Sequence, residues 1–186
     1  KEKLKSAIQI YKKTKDKRAG EIVEHLNKIL STSQARKTLL QYATHIYPQY
    51  KDPAHIRLIA QNLELLEKGE ITRLAVFMPP RHGKSMLCSE FFPAWYLGNN
   101  PNEFVIQATY AQELADDFGR KVRNQIISPD FNNVFPHVGL RADSTSVKRF
   151  HTMQGGMYSA VGAGGAITGR GAHLLIIDDP IKGRED

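Results

Sequence analysis

Apolar residues recur every three to four positions through the first 47 residues, for example at Ile22, Leu26 and Ile29. This is the spacing of one face of an amphipathic helix. The polar run 31–33 is predicted to interrupt these helices, and Pro48 is predicted to end them. The pattern therefore predicts an N-terminal region made of helices.

A further helix is predicted between Asp52 and Gly69. Asp52 followed by Pro53 is a typical helix start, with Asp as the N-cap and Pro at the first helical position. Ile56 and Ile59 begin a single apolar face. Gly69 stands where helices commonly end in a left-handed residue.

From residue 73 onwards, short apolar runs alternate with amphipathic segments. The segments predicted as strands are 74–78, 104–109, 149–152, 157–161 and 174–177. The segments predicted as helices are 84–97 and 111–127, and 128–147 is predicted to be loop with short pieces. The strands on either side of Gly155-Gly156 are interpreted as a hairpin. The alternation predicts an α/β fold with a mostly parallel sheet flanked by helices.

The composition fits a globular chain with one core, since 41% of the 186 residues are hydrophobic and 24% are charged. No run approaches the roughly 18–20 apolar residues of a membrane span, and the N-terminus lacks the apolar stretch of a secretory signal. Cys88 is the only cysteine, which excludes a disulfide framework and favours a reducing, cytoplasmic setting. We expect a piece of a longer protein, because the chain starts without Met and few residues follow its last strand.

Positive charge is concentrated in the N-terminal quarter. Residues 1–51 carry twelve Lys or Arg and four Asp or Glu, a net charge of +8, whereas residues 52–186 carry fourteen and fifteen. A basic segment of this kind binds phosphate backbones by releasing counterions. A solvated helix face has the same composition, and the sequence leaves both readings open. We divide the chain into a basic helical region, 1–49, and a domain, 50–186.

The segment MPPRHGKS, residues 78–85, carries the most specific chemical signal. Gly83-Lys84-Ser85 matches the end of the phosphate-loop (P-loop) pattern, in which a glycine and four residues precede Gly-Lys-Ser/Thr. Met78 stands where the pattern has its first glycine. A glycine lets the backbone approach phosphates, a lysine reaches the β- and γ-phosphates, and a serine hydroxyl ligates Mg²⁺. The motif predicts an ATP site with Mg²⁺ as its metal.

The other residues of this loop are predicted to surround the nucleotide. Arg81 is interpreted as a phosphate contact, and His82 as a residue that fills the loop. Pro80 and Met86 are also predicted to contact the nucleotide.

An apolar strand ending in Asp178-Asp179 supplies the expected acidic partner of the loop. In P-loop ATPases, an aspartate at such a strand end holds Mg²⁺ and a following acid activates the attacking water. Asp178 fits the metal role. Asp179 takes the water-activating position, where motor ATPases usually have the longer Glu. Glu185 is the alternative acid, and a simple strand-end cap remains an alternative for Asp179.

These motifs, in the order in which they follow along the chain, resemble those of the large terminase subunit of tailed phages and prophages. The resemblance rests on MPPRHGKS, on FGRKVR within a predicted helix, and above all on the stretch 155–186. It implies an additional-strand, RecA-like P-loop NTPase domain that hydrolyses ATP to drive double-stranded DNA into the capsid. The family's RNase H-like nuclease domain is not recognised in this sequence.

The resemblance also implies roles for individual residues. Arg170, in Gly169-Arg170-Gly171, resembles an arginine that acts in trans as an arginine finger; a surface arginine is the alternative. Residues upstream of the P-loop are expected to hold the adenine. Tyr50, His55 and Gln61 are candidates, and Gln61 is preferred.

The partners that the resemblance implies are double-stranded DNA, a small terminase subunit, the capsid portal and further copies of the chain in a ring. The expected location is the host cell cytoplasm, at the procapsid portal, with no membrane partner. Two other functions stay open. One is a different P-loop DNA motor, such as a helicase-like ATPase, and the other is a nucleotide-binding assembly module with little turnover.

Overall fold

A five-stranded mixed sheet lies at the centre of the chain. The structure, a computed structural model, describes residues 5, 6, 8, 9, 11, 17–165 and 171–181. The strands are β1 (Phe104–Thr109), β2 (Leu140–Thr145), β3 (Arg149–Thr152), β4 (Met157–Gly162) and β5 (Leu174–Ile177). Their order across the sheet is β2-β3-β4-β1-β5. β1 therefore lies between β4 and β5, and the carboxyl end of β5 is at one edge of the sheet.

The prediction of a mostly parallel sheet is wrong. β1 pairs in parallel with β4 and β5, whereas β2 with β3 and β3 with β4 are antiparallel. The hairpin around Gly155-Gly156 and the strand positions at β1 and β5 are confirmed. The additional antiparallel pair arises because the segment predicted as loop contains β2, which a hairpin connection joins to β3.

The strand predicted at 74–78 is also wrong, since this segment has no strand pairing. Leu74 and Val76 are half-buried, while Phe77 is 93% exposed. An apolar run predicts burial, but a strand also needs a hydrogen-bonded neighbour. β5 remains at the sheet edge, with Leu175 and Ile177 more than half exposed.

Helices flank the sheet. They are α1 (Lys17–Lys37), α2 (Leu39–Ile46), α3 (Ala54–Glu67), α4 (Phe92–Asn99), α5 (Gln112–Ile126) and α6 (Pro129–Val134), with a π-helical segment at Met86–Phe91 that leads into α4. α2 ends before Pro48, as predicted. α1 runs through the polar segment 31–33, so the predicted interruption is wrong. The Thr32 hydroxyl donates to the carbonyls of Lys28 and Ile29 at 3.0 Å, a local bond that helices tolerate.

The start of α3 differs by one residue from the prediction. Pro53 is the N-cap, and Asp52 makes a distant ion pair with Arg57 instead of capping the helix. Glu64 accepts a hydrogen bond from the backbone N–H of Leu39 at 2.7 Å, which ties α3 to the start of α2. The predicted stop is confirmed, because Gly69 follows the helix with φ of 73°.

Aromatic side chains on several helices share the core with the sheet. Trp95, Tyr42 and Phe92 are among its largest buried members, and burying each such side chain stabilises the fold by roughly 1.5–3 kcal/mol. The indole of Trp95 donates to the carbonyl of Ala35 at 3.1 Å, which joins α4 to α1. The boundary at residue 50 stays a prediction. Within the described part of the chain, no helix is long and apolar enough to cross a membrane.

Candidate nucleotide-binding site

The loop before the π-helical segment contains two residues with left-handed backbone. Arg81 has φ of 63° and Gly83 has φ of 88°, so left-handed residues alternate with His82. Successive amides in such alternating backbone form anion-binding concavities. Helical structure begins at Lys84, which adds the unpaired amides of a helix start. A side chain at Gly83 would be strained, and its Cβ would lie 3.2 Å from Ile56 Cδ1.

Two histidines hold this loop in place. His82 Nδ1 lies 2.8 Å from the carbonyl oxygen of Pro80, so Nδ1 carries the proton, because a carbonyl only accepts. By the same argument, His55 Nε2 donates to the carbonyl of His82, although at 3.4 Å the contact is long. His55 stands in the first turn of α3, which therefore braces the loop from outside.

Lys84 joins the loop to the end of β5. Its Nζ lies 2.7 Å from Asp178 Oδ1 and 2.8 Å from Asp179 Oδ1. Burial alone would lower the pKa of Lys84, but hydrogen bonds and charge from both carboxylates outweigh it and raise the pKa. The ammonium group is therefore charged and held at the mouth of the site.

Asp178 is the buried acid of the site, with 4% of its surface exposed. Its backbone N–H donates to the carbonyl of Ala108 at 3.0 Å, which continues the β1–β5 ladder to this residue. Its Oδ2 accepts from Ser89 Oγ at 2.8 Å. Burial would raise the pKa of Asp178, but hydrogen bonds from Lys84, Ser85 and Ser89 and the charge of Lys84 lower it overall. The carboxylate is therefore ionised despite its burial.

Asp179 is the exposed acid, with 61% of its side chain accessible. Its φ of 46° is left-handed, a conformation that Asp adopts more readily than most residues. Its carbonyl accepts from the backbone N–H of Tyr110 at 3.1 Å. The turn at the end of β5 thus aims one carboxylate inward and the next towards solvent.

Two adjoining cavities border the loop, and the first also borders Asp179. The first, of about 410 Å³, is lined by residues 78–81 and 83–86 and by Asp179. The second, of about 340 Å³, lies against α3 and is lined by Tyr47, Gln49, Tyr50, Lys51, Pro53, His55, Ile56, Arg81, His82, Gly83 and Met86. The two share Arg81, Gly83 and Met86. One cavity therefore borders the cationic loop and the other is mostly apolar and aromatic.

A family model described as "Terminase large subunit, T4likevirus-type, N-terminal" matches residues 76–186, which is more than half of the chain. The chain belongs to this terminase family. Its large subunits take part in phage DNA packaging with DNA and packaging-complex partners, and they generally carry ATPase activity. The comparisons with curated proteins and with solved structures gave no significant match.

The fold of this terminase chain brings most of the predicted site residues together. Pro80, Arg81, Gly83, Lys84, Ser85 and Met86 share the first cavity with Asp179, while His82 lines the second. Gln61 lies exposed on α3 and lines neither cavity. Arg170 and Glu185 lie outside the described residues.

Several residues around the site were not predicted from the sequence. Ser89 bonds the buried acid, and Tyr47 and Gln49 line the second cavity. Ser89 follows Ser85 by four residues, and this helical spacing is the signal that links them. Tyr47 and Gln49 flank Pro48 in a segment whose pattern carries no comparable signal.

The donors available to a metal are oxygens. Ser85 and Asp178 offer a hydroxyl and a carboxylate, which suit the hard cation Mg²⁺. In the portion of the chain that is described, no group of three His, Cys, Asp or Glu is arranged to hold a metal. Mg²⁺ commonly binds through one or two protein oxygens together with substrate phosphates and water. The residues of this site therefore fit Mg²⁺ that arrives with a nucleotide.

Proposed function

We propose that this chain binds ATP with Mg²⁺ at the loop 79–85 and hydrolyses it to drive double-stranded DNA into a phage capsid. The observation that carries the proposal is the contact of Lys84 with Asp178 and Asp179, since Lys84 and Asp179 are 95 residues apart in the sequence. A P-loop lysine at the tip of an acidic strand is the arrangement of P-loop NTPases. The additional-strand, RecA-like type is the fold we propose for the complete domain.

The phosphates are proposed to lie in the first cavity. Without nucleotide, Lys84 forms ion pairs with both carboxylates. With nucleotide, its ammonium group exchanges them for the β- and γ-phosphate oxygens, while the amides around Gly83 contact the phosphates from the opposite side. Arg81, which lines the same cavity, is a second cation for this charge.

Ser85 and Asp178 would hold Mg²⁺, which when bound neutralises charge that develops on the β- and γ-phosphates. Asp179 is the residue proposed to activate water, because its carboxylate is the exposed one at the cavity rim. The water oxygen bonds to the γ-phosphorus as the bond to the β-phosphate oxygen breaks. The proton of the water passes to Asp179 and then to solvent, and ADP and phosphate leave.

The second cavity is proposed to hold the adenine. Tyr50 and His55 line it directly beside the phosphate loop, and an aromatic wall suits a planar base. Gln61 is exposed on α3 and does not line this cavity, so it is not part of the proposed base site.

The remaining parts of the proposal follow from the family. Arg170 would serve a neighbouring subunit as an arginine finger, which requires a ring of chains. A small terminase subunit and the capsid portal would be the protein partners. The motor would act at the procapsid portal in the host cell cytoplasm.

One observation favours a second candidate, an assembly module that binds nucleotide with little turnover. The proposed water-activating group is an Asp with left-handed backbone, and it is engaged by Lys84 at 2.8 Å. An Asp is one methylene shorter than the Glu usual in motors. Both candidate functions require nucleotide binding, but only the motor function requires rapid ATP hydrolysis.

The test is equilibrium binding of ATP and steady-state hydrolysis of ATP with Mg²⁺, without DNA, with double-stranded DNA and with single-stranded DNA. It compares the wild-type chain, Lys84→Ala and Lys121→Ala, whose lysine pairs with Glu90 at 2.6 Å away from both cavities. We expect turnover by the wild type and by Lys121→Ala, and none by Lys84→Ala. Binding without turnover would favour the assembly module, and stimulation by single-stranded DNA alone would favour a helicase-like motor. No binding of ATP to the wild type would end the proposal.

A further inference from the structure

Ser89 is a fully buried polar residue that touches the acid of the site. Its relative exposure is 0%, and its hydroxyl donates to Asp178 Oδ2 at 2.8 Å. Lys84 occupies the other carboxylate oxygen, Oδ1, at 2.7 Å. The two oxygens of one carboxylate therefore have different donors, and the donor from Ser89 comes from the protein interior.

Helix geometry explains why Ser89 reaches the acid. Pro93 follows four residues later and has no N–H, so it makes no helical hydrogen bond to the Ser89 carbonyl, and its ring crowds that carbonyl. The chain accommodates Pro93 with the π-helical segment Met86–Phe91, in which the N–H of Phe92 bonds to the carbonyl of Leu87. Such wide turns occur frequently at functional sites. Here the wide turn contains Ser89 and places it one turn after Ser85.

Nucleotide binding should affect the three hydrogen-bond donors to Asp178 differently. Under the proposed function, Lys84 moves to the phosphates and Ser85 turns to Mg²⁺. Ser89 is fully buried. Like Asp178, it lines neither of the two cavities proposed for ATP, and both residues line a smaller cavity of about 130 Å³ beside Lys84. Ser89 can therefore keep its bond to Oδ2, while Oδ1, once Lys84 has left it, becomes available to the metal.

We infer that Ser89 is a positioning residue that fixes the Asp178 carboxylate with Oδ2 held inward and Oδ1 facing the metal. The inference rests on the proposed function, because it concerns the Mg²⁺ that accompanies ATP. Ser89 contacts neither the metal nor the substrate and acts through Asp178. Residues that orient metal ligands in this way typically change metal affinity about 10–100-fold when they are removed.

The experiment measures equilibrium binding of a fluorescent ATP analogue, first in EDTA and then at increasing Mg²⁺. The variants are Ser89→Ala, Ser89→Cys and Ser89→Thr, and the control is Ser159→Ala, which removes another buried serine hydroxyl, on β4. We expect Ser89→Ala to bind the analogue in EDTA within about twofold of the wild type. We expect its half-saturating Mg²⁺ concentration to rise about 10–100-fold.

The conservative variants separate positioning from packing. Ser89→Cys keeps the shape but has only a weak donor, so we expect it to behave like Ser89→Ala. Ser89→Thr keeps the hydroxyl, so we expect recovery of part of the Mg²⁺ affinity. Ser159→Ala should leave the Mg²⁺ dependence unchanged. Thermal unfolding of each variant checks that the fold is retained.

Two results would overturn the inference. One is an unchanged Mg²⁺ dependence in Ser89→Ala, and the other is an equal loss of affinity with and without Mg²⁺, which would indicate a packing role. Failure of the proposed function looks different, because the wild type itself would then show no Mg²⁺-dependent nucleotide binding. In that case both the proposed function and the positioning role of Ser89 would be rejected.

Discussion

Replacing Lys84 with Ala should destabilise the chain in the absence of any nucleotide. The ammonium group of Lys84 lies 2.7 Å from Asp178 Oδ1, with only 6% of the Asp178 side chain and 26% of the Lys84 side chain exposed. Without Lys84, a buried carboxylate keeps its Ser89 hydrogen bond but loses its counter-charge. A buried charge without its partner is costly.

The size of the effect follows from these contacts. Losing one hydrogen bond to a buried charged group costs about 1.5–3 kcal/mol, and a fully buried broken pair costs about 3–5 kcal/mol. Lys84 is partly exposed, so water replaces some of what is lost, and we expect about 2 kcal/mol. The second contact, to Asp179, adds little, because Asp179 is 61% exposed. For a chain of this size, about 2 kcal/mol lowers Tm by roughly 4–8 °C.

A double-mutant cycle assigns the effect to the pair. Urea unfolding is measured for the wild type, Lys84→Ala, Asp178→Asn and the combined variant, with Lys121→Ala as the matched control. Lys121 pairs with Glu90 at 2.6 Å but is 53% exposed, so its loss should cost at most about 1 kcal/mol. Asp178→Asn removes the charge, and the combined variant should therefore recover part of the loss, with a coupling of about 1–2 kcal/mol.

The stability difference between wild type and Lys84→Ala should also depend on pH. The folded pKa of Asp178 is lowered, so its contribution is present above the unfolded pKa and is lost as pH falls through the folded pKa. In Lys84→Ala we expect this pKa to be higher than in the wild type, because burial raises it and the contribution of Lys84 that lowers it is lost. Protonation at acid pH then relieves the penalty. The difference in unfolding free energy between the wild type and Lys84→Ala should therefore become smaller as pH falls below about 4. Equal stability of Lys84→Ala and wild type at pH 7, or strictly additive effects in the cycle, would refute this reasoning.

Three further changes test other parts of the site. Asp179→Asn should leave ATP binding and Tm nearly unchanged, because the side chain is exposed, while kcat falls about 10²–10⁴-fold; unchanged turnover would exclude Asp179 as the water-activating acid. Gly83→Ala should weaken ATP binding and destabilise the chain by about 1 kcal/mol or more, because Gly83 has φ of 88°. Unchanged affinity in an ATP titration together with unchanged urea unfolding would contradict a role of this loop in binding phosphate. Burial raises the pKa of Cys88 to about 12, so alkylation by iodoacetamide at pH 8, followed by mass spectrometry, should be slow in the folded chain and fast in urea.

The fold was predictable where local signals and tertiary pairing agree. β1 and β5 are short apolar runs beside turn residues, and both form strands at the expected positions. The run 74–78 is equally short and apolar but forms no strand. A strand also needs a neighbouring strand to pair with, and no local sequence pattern encodes that neighbour. The sheet's antiparallel half was underestimated for a related reason, since the polar, exposed strand β2 carries no apolar signal.

The part of the site that could be predicted consists of residues that form recognisable sequence motifs. Gly83-Lys84-Ser85 and Asp178-Asp179 each form a known motif, and the fold brings Lys84 to both acids. The contact from Ser89 depends on a π-helical turn, whose cause, Pro93, lies beyond the motif. The cavity beside α3 forms from residues on both sides of Pro48 that meet the loop only after folding. The choice among the candidates proposed to contact the base therefore needed the structure.

The most direct test of the central claim is a crystal structure of the chain with Mg²⁺ and a non-hydrolysable ATP analogue. We predict that the phosphates lie in the cavity lined by residues 78–81 and 83–86. We also predict that Lys84 contacts phosphate oxygens instead of Asp179, and that Ser85 and Asp178 face the metal. A nucleotide bound elsewhere, or Lys84 still paired with both carboxylates beside an occupied cavity, would contradict this prediction.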